Sequence, residues 1–345
     1  KVHIYDINQT SLDTISSGIM PFMESGAEEL LSEVLADGNL TMSADVSDVS
    51  KASRVILTIG TPVDEFHNPV LGLVRQCIDD LLPNLKDGQL LILRSTVYPG
   101  TTDWLASYLE SKGRSVKVSF CPERVVQGHS IEELQHLPQI VSDTSEESVA
   151  LASQLFSLIA PEIVELKPIE AEFAKLMNNA YRYIEFAIAN QFYMITSQAN
   201  VDYERVLTGM KQNYPRAKNI PMPGFAAGPC LFKDTMQLSA FSNNQFSLGH
   251  AAMLVNEGLV LYVVDEISKK YPLHEMTIGL LGMAFKAESD DIRSSLSYKL
   301  KKVLQFKAKH VLTTDPYVSC DEELLPMQDV VAKSDLLILC VPHKA

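Results

Sequence analysis

Short runs of β-branched and leucine side chains recur through the first ~160 residues, separated by stretches with helical spacing of their apolar positions. The runs "KVHIYD" (1–6), "SRVILTIG" (53–60) and "QLLILRS" (89–95) predict buried strands, and "VKVSF" and "PQIVSD" add two candidates. Strands that alternate with helices are typical of βαβ units, in which ligands bind at the carboxyl ends of parallel strands. This part of the chain is therefore predicted to be a doubly wound domain.

The middle of the chain has a different pattern. From 168 to 198 there is no internal glycine or proline and apolar residues fall on most faces, which predicts one long, heavily buried helix. A second helical stretch runs from 249 to 270, and the alternation of short apolar runs and helical segments returns after it. We therefore expect an α/β protein in which two Rossmann-like, doubly wound parallel sheets flank a central all-helical domain. The expected domains are residues 1–167, 168–271 and 272–345.

The two ends of the chain resemble each other. "VHIYDIN" near the start and "VLTTDPY" near the end both place an aspartate where a strand stops. The second sheet opens with a strand and turn, "TIGLLGMAF", that contains Gly279 and Gly282, whereas the first sheet has no such turn. We therefore expect the chain to be a fragment whose GxGxxG turn and C-terminal end lie outside the given residues.

Charge and cysteine content narrow the class of protein. The chain carries 43 acidic against 29 basic residues, a net charge of −14, which argues against a nucleic-acid partner and favours small molecules. The five cysteines are scattered without a CxxC pair, so neither a disulfide framework nor a zinc site is expected, and a reducing cytoplasm fits. No apolar run approaches the roughly 18 residues of a membrane span, so no membrane association is expected.

Asp6 stands where the first predicted strand ends. In a dinucleotide-binding sheet, an acidic residue at this place accepts hydrogen bonds from the adenosine ribose and repels a 2′-phosphate, which favours NAD over NADP. A strand-end aspartate that only serves a turn explains the residue equally well.

Two further strand ends carry hydroxyl groups suited to a cofactor. Their residues are Gly60, Thr61 and Pro62 at one strand and Ser95 and Thr96 at the other.

A polar stripe interrupts the long apolar helix. Lys175 and Asn179 are four residues apart and share a face, with Arg182 close to the same line. Because a buried, unpaired ammonium is costly, Lys175 is expected to reach solvent or to face a polar cavity. A surface lysine whose stem covers apolar neighbours is the simpler alternative.

The segment "GFAAGPCLFKD" (224–234) places a cysteine at the end of a loop of small residues. Pro229 suits the first position of a helix, so Cys230 is expected in the first turn, where the dipole and exposed amides stabilise a thiolate. Asp234, four residues later, projects from the same face. On this pattern a buried, inert cysteine and a nucleophile both remain open.

Several motifs occur in the order and at the spacing of one enzyme family. They are "GTP" (60–62), "STVYPGTT" (95–102), "PER" (122–124), "EAEFAKLMNNAYR" (170–182), "GFAAGPCLFKD" (224–234), "GMAFKAESDDIRSS" (282–295) and "DP" (315–316). Over essentially its whole length the chain thereby resembles the UDP-glucose/GDP-mannose dehydrogenase family, which oxidises nucleotide sugars. The resemblance implies NAD as cofactor, a UDP-sugar substrate for surface polysaccharide synthesis, a cytoplasmic enzyme, and a homodimer formed through the long central helix.

The resemblance also implies catalytic roles. Cys230 resembles the nucleophile of a four-electron oxidation by two NAD⁺, which passes through a thiohemiacetal and a thioester. Lys175 and Asn179 resemble the groups that stabilise the oxyanion of these intermediates. Glu123 resembles the carboxylate that handles the hydrolytic water. Thr96 and Asp234 resemble members of a network of side chains that holds this water.

Further residues match positions that contact ligands in the family. Arg293 resembles a cation that reaches the cofactor. The implied substrate contacts are Arg124, Arg216, Gly224, Phe225, Phe285 and Lys286.

The identity of the sugar rests on mixed motifs. "PERVVQG" (122–128) resembles the N-acetylhexosamine branch, so UDP-N-acetylmannosamine or UDP-N-acetylglucosamine is the expected substrate. The "KD" that ends the cysteine loop is the UDP-glucose form, and Ala226 and Ala227 stand where glycines are usual. The alternatives are a UDP-glucose 6-dehydrogenase, a two-electron hydroxyacid-type dehydrogenase, and a non-catalytic paralogue that binds a sugar nucleotide.

Overall fold

The computed structural model describes residues 1–64 and 70–344, and these fall into two compact units, 1–177 and 178–345. The first unit contains two sheets. Strands β1 (Val2–Tyr5) and β2 (Leu40–Ser43) pair in parallel, and the other five strands form a sheet in chain order. These are β3 (Arg54–Leu57), β4 (Leu90–Leu93), β5 (Lys117–Phe120), β6 (Gln139–Asp143) and β7 (Ile163–Leu166). The helices of this unit are α1 (Gln9–Ser16), α2 (Ala27–Ala36), α3 (Leu71–Leu81), α4 (Thr101–Ser111), α5 (Ser130–His136) and α6 (Glu146–Phe156).

Strand β4 is apolar at every position because both faces of the five-stranded sheet are covered. Leu91 and Leu93 pack on one face in a cluster that includes Ile78 of α3, while Leu90 and Ile92 pack on the other face. All four β4 side chains are buried. The run "LLIL" is therefore continuous rather than alternating, as expected for an internal parallel strand.

One pairing in this sheet departs from the all-parallel prediction. Strand β6 runs antiparallel to β5, whereas β3, β4 and β5 pair in parallel and β6 and β7 do so too. The segment between β5 and β6 contains a loop and the short helix α5. Strand β6 begins at the same end of the sheet at which β5 stops, so the two strands run in opposite directions. The hydroxyl of Ser119 donates to the carbonyl oxygen of Ser142 at 2.6 Å, and the hydroxyl of Ser142 donates to that of Phe120 at 3.0 Å.

The long helix predicted over 168–198 is confirmed as α7 (Pro168–Gln198), which runs through the boundary between the units. The prediction that it is buried on most faces was wrong for one face. Its buried residues include Tyr183 and Ala187, but Tyr181, Ile188, Phe192 and Ile195 are exposed large apolar side chains. Apolar composition alone does not show whether the covering partner belongs to the same chain.

The second unit continues with helices and ends in a three-stranded parallel sheet. The helices are α8 (Tyr203–Lys211), α9 (Leu231–Phe241), α10 (Ser247–Ser268), α11 (Leu296–Gln305) and α12 (Met327–Lys333). The strands are β8 (Thr277–Leu281), β9 (His310–Thr314) and β10 (Leu336–Leu339), in the order β10-β8-β9. The central strand β8 therefore has β9 and β10 on either side, and the loops that follow all three strands lie at one edge.

Helix α10 is more apolar than we expected from the sequence. Among the described residues, α10 is the helix that is long and apolar enough to cross a membrane, since an 18-residue stretch of it has a mean hydropathy of 1.4. One third of that stretch is buried inside the protein. It carries the fully buried Asn256, whose amide donates to the carbonyl oxygen of Tyr183 at 3.0 Å and whose Oδ1 accepts from Asn190 at 2.9 Å. Core helices meet the same length and composition criteria, so this is weak support for a membrane span.

Glu172 fixes the start of α7 against α4. Its buried carboxylate accepts from the backbone N–H of Gly100 at 2.5 Å, and from the backbone N–H and the hydroxyl of Thr102 at 2.8 and 2.6 Å. It thereby satisfies N–H groups at the N-terminus of α4 that have no partner within that helix.

Replacing Glu172 by Gln is expected to lower the free energy of unfolding by about 1–3 kcal/mol, because one acceptor becomes a donor that faces a buried N–H. Urea denaturation measures the loss. Glu165→Gln, at an exposed position of β7, is the matched control and should leave stability within about 0.5 kcal/mol of the wild type. Equal stabilities for the two variants would show that Glu172 does not anchor the helix.

Candidate active site

The turns after β3 and β4 meet in the first unit. The hydroxyl of Thr61 donates to the backbone carbonyl of Thr96 at 2.6 Å. Thr61, Ser95 and Thr96 are half-buried, while Gly60 and Pro62 are exposed. Because β3 and β4 are adjacent parallel strands, the two hydroxyl-bearing turns lie at one edge of the sheet, which is where the sequence predicts a cofactor site.

Glu123 lies in the loop that follows β5. Its Oε1 accepts from the backbone N–H groups of Arg124 at 2.5 Å and Val125 at 2.7 Å. Its Oε2 forms an ion pair with the guanidinium of Arg94, and its side chain remains about one third exposed. The carboxylate is thus held in a fixed direction and still reaches solvent.

Arg94 is a residue that the sequence reasoning missed. Its side chain is 12% exposed, and besides Glu123 its Nη1 donates to the carbonyl oxygen of Cys121 at 3.0 Å and to Oε1 of Gln139 at 2.9 Å. The guanidinium also lies 4.9 Å from the ring centre of Phe156. A planar cation with several fixed contacts is suited to orient a carboxylate. Its position directly before Ser95, at a strand end, was the available signal.

Arg124 has its guanidinium turned towards the protein. Its Nη2 donates to the carbonyl oxygen of Pro138, and burial lowers the pKa of its guanidinium. The residue lines a crevice together with Glu123, Leu134, Leu137 and Ile159. Its substrate role stays a prediction.

Lys175 and Asn179 lie one turn apart on α7. Lys175 is half-buried and Asn179 is buried. In the second unit, Nδ2 of Asn179 donates to Oδ2 of Asp234 at 2.5 Å. The Asp234 carboxylate is completely buried, and Nζ of Lys233 lies 3.4 Å from its Oδ1. The structure therefore joins two of the predicted site residues, Asn179 and Asp234, by a direct hydrogen bond.

Cys230 occupies the N-cap of α9, which begins at Leu231. The prediction that Pro229 begins the helix was therefore wrong by two residues, and Cys230 already has αR backbone angles at the N-cap. Cys230 is exposed, so the alternative of a buried cysteine does not hold, and its role as a nucleophile stays a prediction. Its carbonyl oxygen accepts the N–H of Asp234 at 2.9 Å, which makes the first turn of α9 continuous with the cysteine.

Arg293 lies near Cys230. Its guanidinium is held by Asp291, with Nε 3.0 Å from both carboxylate oxygens and Nη2 2.6 Å from Oδ2. Hydrogen bonds that the guanidinium donates to Asp291 raise the pKa of Arg293, and the negative charge of the Cys230 thiolate adds to the shift. A cation in this position favours the thiolate form of the cysteine.

The loop before Cys230 is fixed at both ends. Gly224 exchanges two hydrogen bonds with the side chain of Asn190, at 2.8 and 3.0 Å. Phe225 packs on the core of the third sheet. Gly228 has φ of +103° and lies under the ring of Phe285, where a Cβ would approach within 2.7 Å. Glycine is therefore required at 228 by both backbone conformation and space.

Phe285 and Lys286 belong to the loop after β8, and both are half-buried. Arg216 is exposed in the short 3₁₀ turn Pro215–Ala217, with its guanidinium 5.6 Å from the ring centre of Tyr214. Among the residues that the structure describes, no cluster of His, Cys, Asp and Glu side chains could hold a metal ion.

Comparison with known families covers nearly the whole chain. Residues 1–160 match the NAD-binding domain of the UDP-glucose/GDP-mannose dehydrogenase family, residues 169–258 its central domain and residues 279–345 its UDP-binding domain. The chain belongs to this family. It is an NAD-dependent nucleotide-sugar dehydrogenase, and NAD is its cofactor.

Curated relatives of this dehydrogenase carry names with N-acetylated sugars. The chain is 30% identical to the UDP-N-acetyl-D-mannosamine dehydrogenase of Pyrococcus horikoshii, over 98% of this chain and 83% of the relative. It is 26% identical to the NDP-N-acetyl-D-galactosaminuronic acid dehydrogenase of Ralstonia nicotianae, over 98% of this chain and 84% of the relative.

Solved structures show the same fold. The UDP-D-ManNAc dehydrogenase of Pyrococcus horikoshii superimposes with a TM-score of 0.91 at 29% identity, over 99% of this chain and 84% of that one. A UDP-glucose dehydrogenase from Pyrobaculum islandicum gives the same TM-score at 21% identity, over 99% of this chain and 84% of that one. The second likeness shows the fold alone.

Asp6 directly follows β1, in the part of the chain that matches the NAD-binding domain. It is exposed, and its Oδ1 accepts the N–H of Asn8 at 2.8 Å, so it serves the turn into α1 and also presents a carboxylate to solvent. Exposed carboxylate oxygens are acceptors of the kind that the ribose hydroxyls of NAD require. The residues present therefore fit the adenosine end of the cofactor.

Asp315 gives this dehydrogenase a testable pH dependence. Burial acts to raise the pKa of the Asp315 carboxyl, but backbone N–H donors such as Ala284 and Tyr317 outweigh it, so the pKa lies below its usual value. The stabilisation is present above the unfolded-state pKa of about 3.9 and is lost as the pH falls through the folded-state pKa.

Asp315→Asn should therefore lower the free energy of unfolding by roughly 2–3 kcal/mol at pH 7, since buried N–H groups lose a charged acceptor. The difference from wild type should shrink below about pH 4. Urea titrations at pH 7 and pH 3.5 measure it, with Asp329→Asn on the exposed side of α12 as control. A difference that is the same at both pH values would contradict the ionic role.

Proposed function

We propose that the chain oxidises the C6 hydroxyl of UDP-N-acetylmannosamine or UDP-N-acetylglucosamine to the carboxylate, with release of two NADH. The observation that carries this proposal is the exposed thiol of Cys230 at the N-cap of α9, beside the guanidinium of Arg293. A two-electron oxidation has no use for a nucleophilic thiol, whereas an oxidation from alcohol to acid needs a group that holds the aldehyde. We further propose that the reaction takes place in the cytoplasm and supplies precursors of surface polysaccharides.

The N-acetylated sugars are favoured by a sequence motif and by the names of relatives. The sequence "PERVVQG" resembles the branch of the family that acts on N-acetylhexosamines. The curated relatives quoted above are named for N-acetylated sugars, while the UDP-glucose enzyme that shares the fold is only 21% identical.

The reaction begins when a hydride leaves C6 and the proton of its hydroxyl group passes to solvent, so that C6 becomes an aldehyde carbon. NAD, when bound, accepts the hydride in this oxidation and in the later one. The Cys230 thiolate adds to the aldehyde carbon, and the carbonyl oxygen becomes an alkoxide. We assign the stabilisation of this oxyanion to the ammonium of Lys175 and the amide of Asn179, since fixed donors are worth several kcal/mol at a developing charge.

The second oxidation turns the thiohemiacetal into a thioester, which water then hydrolyses. We assign proton transfer from this water to Glu123, whose carboxylate is held by Arg94 and by the backbone N–H groups of the next two residues. Attack of the water releases the uronic acid and restores the Cys230 thiolate. Asp234 keeps the amide of Asn179 in a fixed orientation throughout.

Counting NADH against sugar nucleotide tests the proposal. The full protein should release two NADH per UDP-N-acetylhexosamine, and Cys230→Ala should reduce turnover by roughly a thousandfold or more, because the nucleophile is lost. Cys320→Ala, at another exposed cysteine of the same unit, is the matched control and should behave as wild type.

Other stoichiometries would favour the rival functions. One NADH per substrate would support a two-electron dehydrogenase, and UDP-sugar binding without NADH release would support a non-catalytic paralogue. Faster oxidation of UDP-glucose than of both N-acetylated sugars would overturn the assignment of the substrate.

We also propose that the chain forms a homodimer through α7. The exposed apolar side chains of this helix form a stripe at helical spacing, with exposed fractions of 62% for Tyr181, 43% for Ile188, 38% for Phe192 and 54% for Ile195. A contiguous apolar stripe of this size on a protein surface marks an interaction site.

The pair Ile188→Glu and Ile195→Glu should convert a dimer to a monomer at micromolar concentration, because two buried charges would face the partner. Light scattering coupled to size exclusion measures the mass. Leu158→Glu, at an exposed leucine outside the stripe, is the control and should remain dimeric. A wild-type mass of one chain would refute the dimer.

A further inference from the structure

The carboxyl ends of β9 and β10 meet across the end of β8. Asp315 follows β9 and His343 lies four residues after β10, and Nε2 of His343 is 3.1 Å from Oδ2 of Asp315. The two side chains are 0% and 4% exposed. Since β8 lies between β9 and β10, this pair closes over the loop that leaves β8.

Asp315 holds the beginning of that loop. Its Oδ2 accepts from the backbone N–H groups of Met283 at 2.6 Å and Ala284 at 3.0 Å, and its Oδ1 accepts from those of Tyr317 and Val318 at 2.9 and 3.1 Å. Fixed N–H groups in a turn after a strand are suited to bind an anion. Here the protein supplies that anion itself.

His343 holds the other end of the loop. The backbone N–H of Glu288 donates to Nδ1 of His343 at 3.1 Å, so Nδ1 is the acceptor and the ring proton lies on Nε2, which donates to Asp315. Glu288 has φ of +53°, a conformation that is unfavourable for a residue with a side chain. Its carboxylate accepts the N–H of Lys344 at 2.8 Å, which adds a second bond between the same two segments.

Phe285 and Lys286 lie between these two anchors. The ring of Phe285 covers Gly228 in the loop that leads to Cys230. The backbone N–H of Phe285 is also held, by the carbonyl oxygen of Asp291 at 2.9 Å. A shift of the 283–288 loop would therefore move the Phe285 ring and the Lys286 ammonium together.

We propose that His343 is a positioning residue, which fixes the 283–288 loop so that Phe285 and Lys286 bind the uridine diphosphate part of the substrate. The inference rests on the proposed function for the ligand. His343 is not itself among the substrate contacts, and it acts through its Nδ1 atom.

Three substitutions separate the two bonds of His343 in the full protein. In His343→Asn the side chain can retain an acceptor near the place of Nδ1 but cannot reach Asp315. In His343→Gln an N–H can still reach Asp315, but the acceptor for Glu288 is lost. His343→Ala removes both bonds, and His310→Ala, at the exposed amino end of β9, is the matched control.

Hydrogen exchange of ligand-free protein tests the clamp without any substrate. The amides of 283–290 should exchange faster in the Gln and Ala variants, and at close to the wild-type rate in the Asn variant and the control. Unchanged exchange in all variants, or equal acceleration in Asn and Gln, would overturn the proposal.

Calorimetry with UDP tests the consequence for binding. Loss of one hydrogen bond that orders the loop should weaken UDP about fivefold to tenfold in the Gln and Ala variants. KM for the sugar nucleotide should rise in parallel while KM for NAD stays unchanged. The Asn variant should bind UDP within about twofold of wild type, as expected if the acceptor atom carries the effect.

The outcomes distinguish this inference from the proposed function. Wild-type protein that does not bind UDP would refute the proposed UDP-sugar substrate, while hydrogen exchange in 283–290 would still test whether His343 fixes the loop. Wild-type UDP affinity in the Gln and Ala variants would overturn the positioning role. A lower melting temperature together with a lower kcat and higher KM values for both the sugar nucleotide and NAD would show that His343 has only a structural role. That result would also overturn the proposal. If His343→Ala does not fold, the Asn and Gln pair carries the comparison.

Discussion

The buried carboxylate of Asp234 is the constraint on which the cysteine site depends. A charge with no exposed surface is costly unless hydrogen-bonded, and the amide of Asn179 meets that need at 2.5 Å. This bond ties α7 to the first turn of α9, and the backbone N–H of Asp234 bonds to the carbonyl of Cys230. The position of the Cys230 thiol is thus set by the hydrogen bonds of Asp234, a buried acid one helical turn away.

Carboxylates that accept backbone N–H groups hold several of the loops that carry or adjoin predicted site residues. Glu24 holds Gly128 and Ser130, Glu123 holds the two residues after it, Glu172 holds the turn before α4, and Asp315 holds the loop after β8. A charged acceptor bonded to main chain fixes a loop without requiring secondary structure in it. Loops built in this way can present reactive groups to solvent and still keep one conformation.

Local pattern was sufficient for most strands and for α7, whose bounds follow from an apolar run without breakers. It was insufficient for β2, where "LTMS" is short and half polar, and for the reversed direction of β6, which depends on how the chain re-enters the sheet. Cys230 could be found because small residues and a proline precede it. Glu172 and His343 could not, because their partners lie up to 72 residues away and long-range hydrogen bonds leave no periodic trace.

The proposed reaction depends on covalent capture of the substrate carbon by the sulfur atom of Cys230. Rapid quenching of the full protein with UDP-N-acetylmannosamine and NAD⁺, followed by peptide mass spectrometry, tests it most directly. If Cys230 forms the thioester, an acyl adduct should appear on the peptide that contains Cys230 and disappear as the uronic acid forms. Two-step oxidation to the acid with the adduct absent at every quench time, or found on another cysteine, would contradict it.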